Sequence, residues 1–218
     1  FADGTTTIAA DPYATAAVAN GQRSVILPTD ETGDAGARMA PFGKATNAVI
    51  AETSIRDLTI DPSSGVDPAK RGKYLGMVQA GTHTKTGDPT GLDYLRSLGI
   101  THVQIMPAFD FASIDETKDL GYGEQYNWGY DPENYNVPEG SYSSDPMNPA
   151  TRVQEMKEMV AGLHQHKLRV IMDVVYNHVY DAARHSFNQT VPGYYFRCDD
   201  NGNLINDSGL SNDVPQAR

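Results

Sequence analysis

Asp173 stands inside a run of apolar, β-favouring residues, Arg169-Val-Ile-Met-Asp-Val-Val-Tyr-Asn-His178, which closes on Asn177 and His178. Val170, Ile171, Met172, Val174 and Val175 are apolar at both alternating positions, the pattern of a strand covered on both faces in a parallel sheet. A carboxylate placed there needs a partner or a ligand, because an unpaired buried charge is costly. Polar groups that serve a ligand gather at the carboxyl ends of parallel strands, where this spacing sets Asp173, Asn177 and His178 side by side. Each has a plain structural explanation alone: an acid satisfied by backbone, a turn former, a loop residue. Together at one strand end they predict a site.

A second group precedes it. Tyr126-Asn-Trp-Gly-Tyr-Asp-Pro132, followed by Tyr135 and Tyr142, sets aromatic rings beside Asn127 and Asp131. Rings pack against the C–H faces of a sugar while planar polar groups meet its hydroxyls, so this mixture suits carbohydrate. Trp128, the only tryptophan, and Tyr130 are the expected platforms. The competing reading is that the rings clamp a long loop to its scaffold.

These groups need elements to hold them. Residues 48–57 read as a first strand, and Asp88-Pro89-Thr90 reads as the cap of a helix, Leu92 to Leu98, that stops at Gly99. Thr101 to Met106 reads as a second strand ended by Pro107, and a long polar loop runs from Asp110 to Met147. Asn148-Pro149 opens a second helix to about His166, with Val153, Met156, Val160 and Leu163 as its apolar stripe. Arg169 to Val175 is the third strand. A βαβαβ run makes parallel strands, in a doubly wound sheet or a (β/α)8 barrel. No Gly-rich turn follows the first strand, as a nucleotide fold would require, and the long loops after the strands favour the barrel.

The first 30 residues have a different texture. Thr5 to Ile8, Ala16 to Val18 and Arg23 to Leu27 are short β-leaning runs broken by Asp11-Pro12, Asn20-Gly21 and Pro28. Asn-Gly is a strong hairpin turn. The expected organisation is the end of a β-sandwich at 1–30, a Gly- and Asp-rich linker at 31–46, and the barrel portion at 47–218.

The chain has 218 residues, enough for a substantial core, and a net charge of −11, which argues against nucleic acid or an anionic membrane as its partner. One cysteine, Cys198, excludes an internal disulfide. The chain opens on Phe1, so a signal peptide would be out of view, and an extracellular or cell-surface bacterial setting is the expectation. No cofactor and no metal are expected. His164 and His166 sit at a helix end, where cations favour the dipole, and Asp199-Asp-Asn-Gly-Asn203 lacks the closing Glu of a calcium loop. Asn188-Gln-Thr190 and Asn206-Asp-Ser208 match a glycosylation pattern that carries weight only in a secreting eukaryote.

Asp173-Val-Val-Tyr-Asn-His178 resembles the first signature block of the α-amylase superfamily of glycoside hydrolases, and Tyr126-Asn-Trp-Gly-Tyr-Asp-Pro132 resembles the signature of its type I pullulanases. Further likeness runs through Gly91-Leu-Asp-Tyr-Leu95, Phe109-Asp-Phe-Ala-Ser113, Asn136-Val-Pro-Glu-Gly-Ser-Tyr142 and Val191-Pro-Gly-Tyr-Tyr195. The Asp11-Pro-Tyr-Ala14 and Arg23-Ser-Val25 pieces are similar to the end of the starch-binding-like sandwich that precedes the barrel.

The resemblance implies an α/β fold, the first three strands of a (β/α)8 TIM barrel, and retaining hydrolysis of α-1,6 links in pullulan, amylopectin or limit dextrin. It gives His178 a hydrogen bond to the sugar at the cleavage subsite, Tyr130 a stacking role, and Asp173 and Asn177 a bracing role. The nucleophilic Asp and acid Glu of the family lie on the fourth and fifth strands, in blocks that follow the point where this chain stops, at Arg218. Retention needs both carboxylates about 5 Å apart across the sugar, so no catalytic residue is expected here. A three-stranded portion leaves sheet edges open and calls for the remaining part of the protein, as a second polypeptide, to cover them. The alternative is a non-catalytic carbohydrate-binding or inactive fragment. Ala51, Thr53 and Ser54 stand where the family usually has larger residues, which weakens any substrate contact from the first strand.

Overall fold

Three short parallel strands, β1 (Ile50–Thr53), β2 (His102–Ile105) and β3 (Arg169–Met172), form one sheet in that order in the computed structural model, which describes residues 3–118, 121, 123–205, 209 and 213–214. Glu52 lies beside Gln104, and Gln104 beside Ile171. Helix α1 (Gly91–Ser97) joins β1 to β2, α2 (Pro149–Gln165) joins β2 to β3, and the short α3 (Ser186–Thr190) follows. The expected alternation is present, and the three strands with their helices are the first part of a (β/α)8 barrel.

The core lies between the sheet and the helices. Val103 and Ile105 of β2 are buried with Leu92 and Leu95 of α1 and Met159 and Leu163 of α2, while His102 and Gln104 on the other face are only half-buried. The sheet is therefore covered on one face, not on both as the apolar run at 169–175 predicts. The strands are shorter than their runs for the same reason. Past Met172 only the Asp173 N–H still reaches the neighbouring strand, at Ile105 O (3.0 Å), and Val174 is 41 % exposed. Asp173 itself is half-buried rather than buried, since the open face admits water.

The helices correct two further expectations. Thr90 is at the N-cap of α1 but does not cap it, because its hydroxyl donates to the Ser64 carbonyl instead. Leu98 lies just beyond that helix and is exposed. Asn148 does cap α2, its side chain accepting from Ala150 N–H at 3.0 Å with Pro149 in the first turn. The stripe of α2 is rotated from the expected one: Arg152, Glu155, Met159 and Leu163 are the buried positions, with Met156 and Val160 packed at the flank. Two charged residues occupy the inward face because the long loop between β2 and α2 folds over that end. Glu155 accepts from the Ser144 N–H (2.8 Å) and hydroxyl of that loop.

The loop has no helix among its described residues, but it is a paired ribbon, with antiparallel bridges at Phe109–Pro138 and Phe111–Pro132. Residues 3–30 contain one antiparallel bridge, Ala17–Ser24, across the Asn20-Gly21 turn. The segment after it runs over α2, where Lys157 Nζ donates to Thr32 Oγ1 (2.7 Å) and Gly33 O (3.1 Å). The Asn206-Asp-Ser208 pattern and most of residues 211–218 lie outside the described residues. No described helix is long and apolar enough to cross a membrane.

Candidate functional site

Tyr130 and Asp173, separated by 43 positions in sequence, meet at the carboxyl end of the sheet: the Tyr130 hydroxyl donates to Asp173 Oδ2 at 2.8 Å. The strand-end position of Asp173 follows from β3, and the position of Tyr130 follows from the loop. Gly129, just before it, has φ +86°, and a Cβ there would lie 2.3 Å from Pro107 O, so only glycine lets the loop close onto the exit of β2. Burial, then the hydrogen bond to Asp173, pushes the Tyr130 phenol up to about 12.

His178, buried, is anchored to the same residue through its Nε2, 2.7 Å from Tyr130 O, and its backbone carbonyl accepts from the Tyr135 hydroxyl at 2.6 Å. Asp131 Oδ2 accepts from Ser113 Oγ (3.0 Å) and Asn127 Nδ2 (3.1 Å). Burial raises the Asp131 carboxyl above the usual range, and the hydrogen bonds from Asn127 and Ser113 act against that rise. Asp131 Oδ1 and His178 Nδ1 are both buried without a partner among the described residues.

The structure thus brings together four of the residues expected from sequence: Tyr130, Asp131, Asp173 and His178. Asn177 adjoins them through the backbone, its carbonyl accepting from Val214 N–H at 3.0 Å. Trp128 is set apart. It is 61 % exposed and packs edge-on against Tyr126 (6.3 Å), whose hydroxyl donates to Asp57 Oδ2 at 3.1 Å. Trp128 therefore stands with Tyr126, Arg56 and Asp57 as a second platform along the loop.

Other members of the site were not singled out by sequence reasoning. Gln104 Nε2 donates to Glu52 Oε1 at 2.7 Å on the open sheet face, and the Glu52 charge is felt by Tyr130. Tyr176 donates to Asn136 Oδ1 (2.7 Å) and stands edge-on to Tyr135 (5.2 Å). The available signal was a long polar side chain in each strand, Glu52 and Gln104, which the register sets side by side.

The three acids Asp110, Glu116 and Glu139, under the loop, come within 4.8 Å of one another as a metal site would. A guanidinium takes the cation's place. Arg152 Nη2 lies 2.9 Å from Glu116 Oε2 and Nη1 3.5 Å from Asp110 Oδ1. The remaining oxygens accept from Asn134, Gly140, Phe111 and Ser141, so no ligand position is open. The Asp199 loop is a turn, its carboxylate accepting from the Asn201 and Asn203 N–H groups.

Tyr130→Phe tests the central contact. The residue is 40 % exposed, so loss of its hydrogen bond is expected to cost about 1 kcal/mol of stability or less. Spectrophotometric titration of the tyrosines should lose one phenol ionising near 12; loss of a phenol ionising near the ordinary 10.0 instead would show that this phenol does not meet Asp173.

A partial α/β barrel with rings and paired polar groups in its strand-end loop has relatives in the glycoside-hydrolase class. The Alpha-amylase family model (Alpha amylase, catalytic domain) matches residues 77–208, more than half of the chain, and the chain belongs to that family. It is 45% identical over 208 residues to the pullulanase of Bacillus subtilis (strain 168), an alignment that takes in 95% of this chain and 28% of that protein. Pullulanase A of Streptococcus pneumoniae serotype 4 is 34% identical, covering 91% of this chain and 16% of the relative. The crystal structure of pullulanase from Paenibacillus barengoltzii in complex with maltohexaose and alpha-cyclodextrin superposes with a TM-score of 0.89 at 46% identity, over 95% of this chain and 32% of that one. The chain spans about a third or less of the length of the pullulanases it matches.

Proposed function

We propose that this chain supplies the sugar-binding part of a debranching glycoside hydrolase that cleaves α-1,6-glucosidic bonds in pullulan, amylopectin or limit dextrin with retention. The observation that carries this reading is the Tyr130–Asp173 contact with His178 fastened to the same tyrosine. An oxocarbenium-like transition state needs a rigid site whose hydroxyl partners are already placed, and such bracing provides it. In this reading Tyr130 stacks on the sugar at the cleavage subsite and His178 hydrogen-bonds it. Asp173 and Asn177 hold the two in place, and Asp131 and Trp128 extend the contact. The nucleophile and general acid come from barrel strands outside this chain, as a second polypeptide or as the continuation of this one. Residues 1–30 are read as the end of a starch-binding-like sandwich, 31–46 as a linker and 47–218 as the start of the barrel.

Release of reducing ends from pullulan tests the reading. The chain alone is expected to bind maltotriose and to release nothing above the uncatalysed background. Joined to the later barrel strands of a pullulanase relative, it is expected to release maltotriose units. Turnover by the chain alone would overturn the assignment of the reacting carboxylates to other strands, and absence of any maltooligosaccharide binding would overturn the sugar site.

A further inference from the structure

The turn Ala19–Gly21 belongs neither to the sheet nor to the sugar-facing group, yet it is inserted into the most buried polar cluster of the molecule. Asn20 N–H donates to Glu116 Oε2 at 2.6 Å, and Glu116 N–H donates back to Asn20 Oδ1 at 2.8 Å. Asn20 Nδ2 reaches Asp115 Oδ1 at 3.4 Å, and Gly21 O accepts from Asn134 Nδ2 at 2.8 Å. Position 21 admits no side chain. Its φ is +65°, and a Cβ there would lie 2.2 Å from Asp110 Oδ2 and 2.6 Å from Asn134 Nδ2. The fit is thus specific to a turn that carries Asn then Gly, both at positive φ.

What the turn grips leads to the sugar platforms. Glu116 is held from the far side by Arg152 Nη2 (2.9 Å) and by Gly140 N–H (2.8 Å). Its neighbour Asp115 receives the loop that carries Trp128: Asp115 N–H donates to Gln125 Oε1 at 2.7 Å. Asn127 Nδ2 then donates to Ala112 O (2.7 Å) and Asp131 Oδ2 (3.1 Å) on either side of the ribbon. Asn134 and Asp110, gripped by Gly21, lie in the two arms of that ribbon, where Glu133 and Asn134 N–H groups donate to Asp110 O. A loop without helix or ladder keeps one shape only through tethers of this kind, since each free residue costs conformational entropy to order.

We infer that the Ala19–Gly21 turn is a positioning element for the glucan-binding loop: by locking Glu116 and Asn134 it fixes where Trp128 and Tyr130 stand. The inference rests on the sugar-binding reading above and adds to it that the N-terminal segment is structural support for the site. It makes Asn20 and Gly21 positioning residues that touch no sugar themselves.

The test uses the chain as it is, because Trp128 is its only tryptophan and reports on the loop alone. Asn20→Gly keeps the positive φ and removes the side-chain bonds to Glu116 and Asp115; Gly21→Ala forces a methyl against Asp110. Time-resolved Trp128 anisotropy, maltotriose titration and far-UV circular dichroism are measured on each. Asn20→Gly is expected to keep the helical signal, to at least double the amplitude of fast Trp128 motion and to weaken maltotriose binding about tenfold. Gly21→Ala, if folded, should do more. Leu95→Ala, a core change away from the loop, should lower the melting temperature and leave both readouts in place below it. A folded Asn20→Gly chain with unchanged Trp128 motion overturns the inference, as does faster motion with unchanged affinity. Absence of maltotriose binding in the unsubstituted chain would instead remove the sugar reading, and the anisotropy would still decide whether the turn fixes the loop.

Discussion

Replacing Arg152 by methionine is expected to destabilise the chain by about 3–5 kcal/mol, the range for removing one partner of a buried ion pair. Domains of this size have about 5–15 kcal/mol to lose, and a partial barrel stands at the lower end, so the variant should be largely unfolded in dilute urea. The size of the effect follows from what Arg152 touches. Its side chain is fully buried and its two terminal nitrogens face oxygens of four residues: both oxygens of Glu116, one of Asp110, and the carbonyls of Pro138 (3.2 Å) and Pro146 (2.9 Å). Asp110 and Glu116 share this one cation, and the third buried carboxyl group, Glu139, lies beside them. Burial and then the Glu116 charge push the Asp110 carboxyl up to about 8, and burial followed by the Glu116 and Asp110 charges holds Glu139 well above its usual range. Without the guanidinium, buried Glu116 loses its ion-pair partner beside two other acids. Arg152→Lys should recover little, since a single ammonium cannot reach oxygens of four residues set around a planar fork. Arg152→Met combined with Glu116→Gln should recover about 1–3 kcal/mol relative to the sum of the single changes, because the orphaned carboxyl group is gone. Urea unfolding followed by circular dichroism measures all three. An Arg152→Met midpoint within about 0.5 kcal/mol of the unsubstituted chain would show that the cluster does not depend on it.

That cluster marks the boundary of what the amino-acid order discloses. Strand and helix order is legible because periodicity is local: Leu92 and Leu95, or Val103 and Ile105, announce a buried face within one turn or one pleat. The pairing of Asp173 with the aromatic loop was legible in outline, because parallel strands deliver polar residues to one end. Arg152 was not. Its partners lie 36 and 42 positions away, and a hydropathy reading of α2 assigns any arginine to the solvent side. The apolar stripe was misplaced by one position for that reason. The exposure of Asp173 was hidden by a different cause. A run apolar on both faces promises two covering layers, and the described residues build only one of them. The role of Asn20-Gly21 was half visible: the dipeptide signals a turn, but nothing local says that the turn will be buried in a carboxylate cluster.

Stability should change least between pH 4 and 6.5, where buried His185 opposes the buried acids Asp110 and Glu139, and then decline more steeply towards pH 8. His185 is almost fully buried; its Nε2 lies 2.6 Å from Glu133 O and its Nδ1 accepts from Phe187 N–H (3.1 Å), capping α3. Burial lowers its pKa from 6.5 to about 4. Between those values the unfolded chain binds more protons than the folded one, so this residue makes stability rise with pH, by on the order of 3 kcal/mol across the window. Asp110 works the other way. Its folded pKa is raised from 3.8 to about 8, so the folded chain holds the extra proton, and stability is present in full below 3.8 and lost as pH climbs through 8. Asp131 and Glu133, lifted by burial, add to the same loss. From pH 4 to 6.5 the two slopes oppose; above 6.5 the histidine is neutral in both states and only the acids remain. His185→Gln should therefore convert the shallow region into a continuous fall from pH 4 to 8. Asp110→Asn should flatten the profile up to about pH 6.5, where Glu139 still opposes His185, and give a shallower decline beyond it. Urea midpoints measured at half-unit intervals separate the two. A wild-type profile that climbs from pH 6.5 to 8 would show that the buried acids are ionised in the folded chain, and that Arg152 is not their only counter-charge.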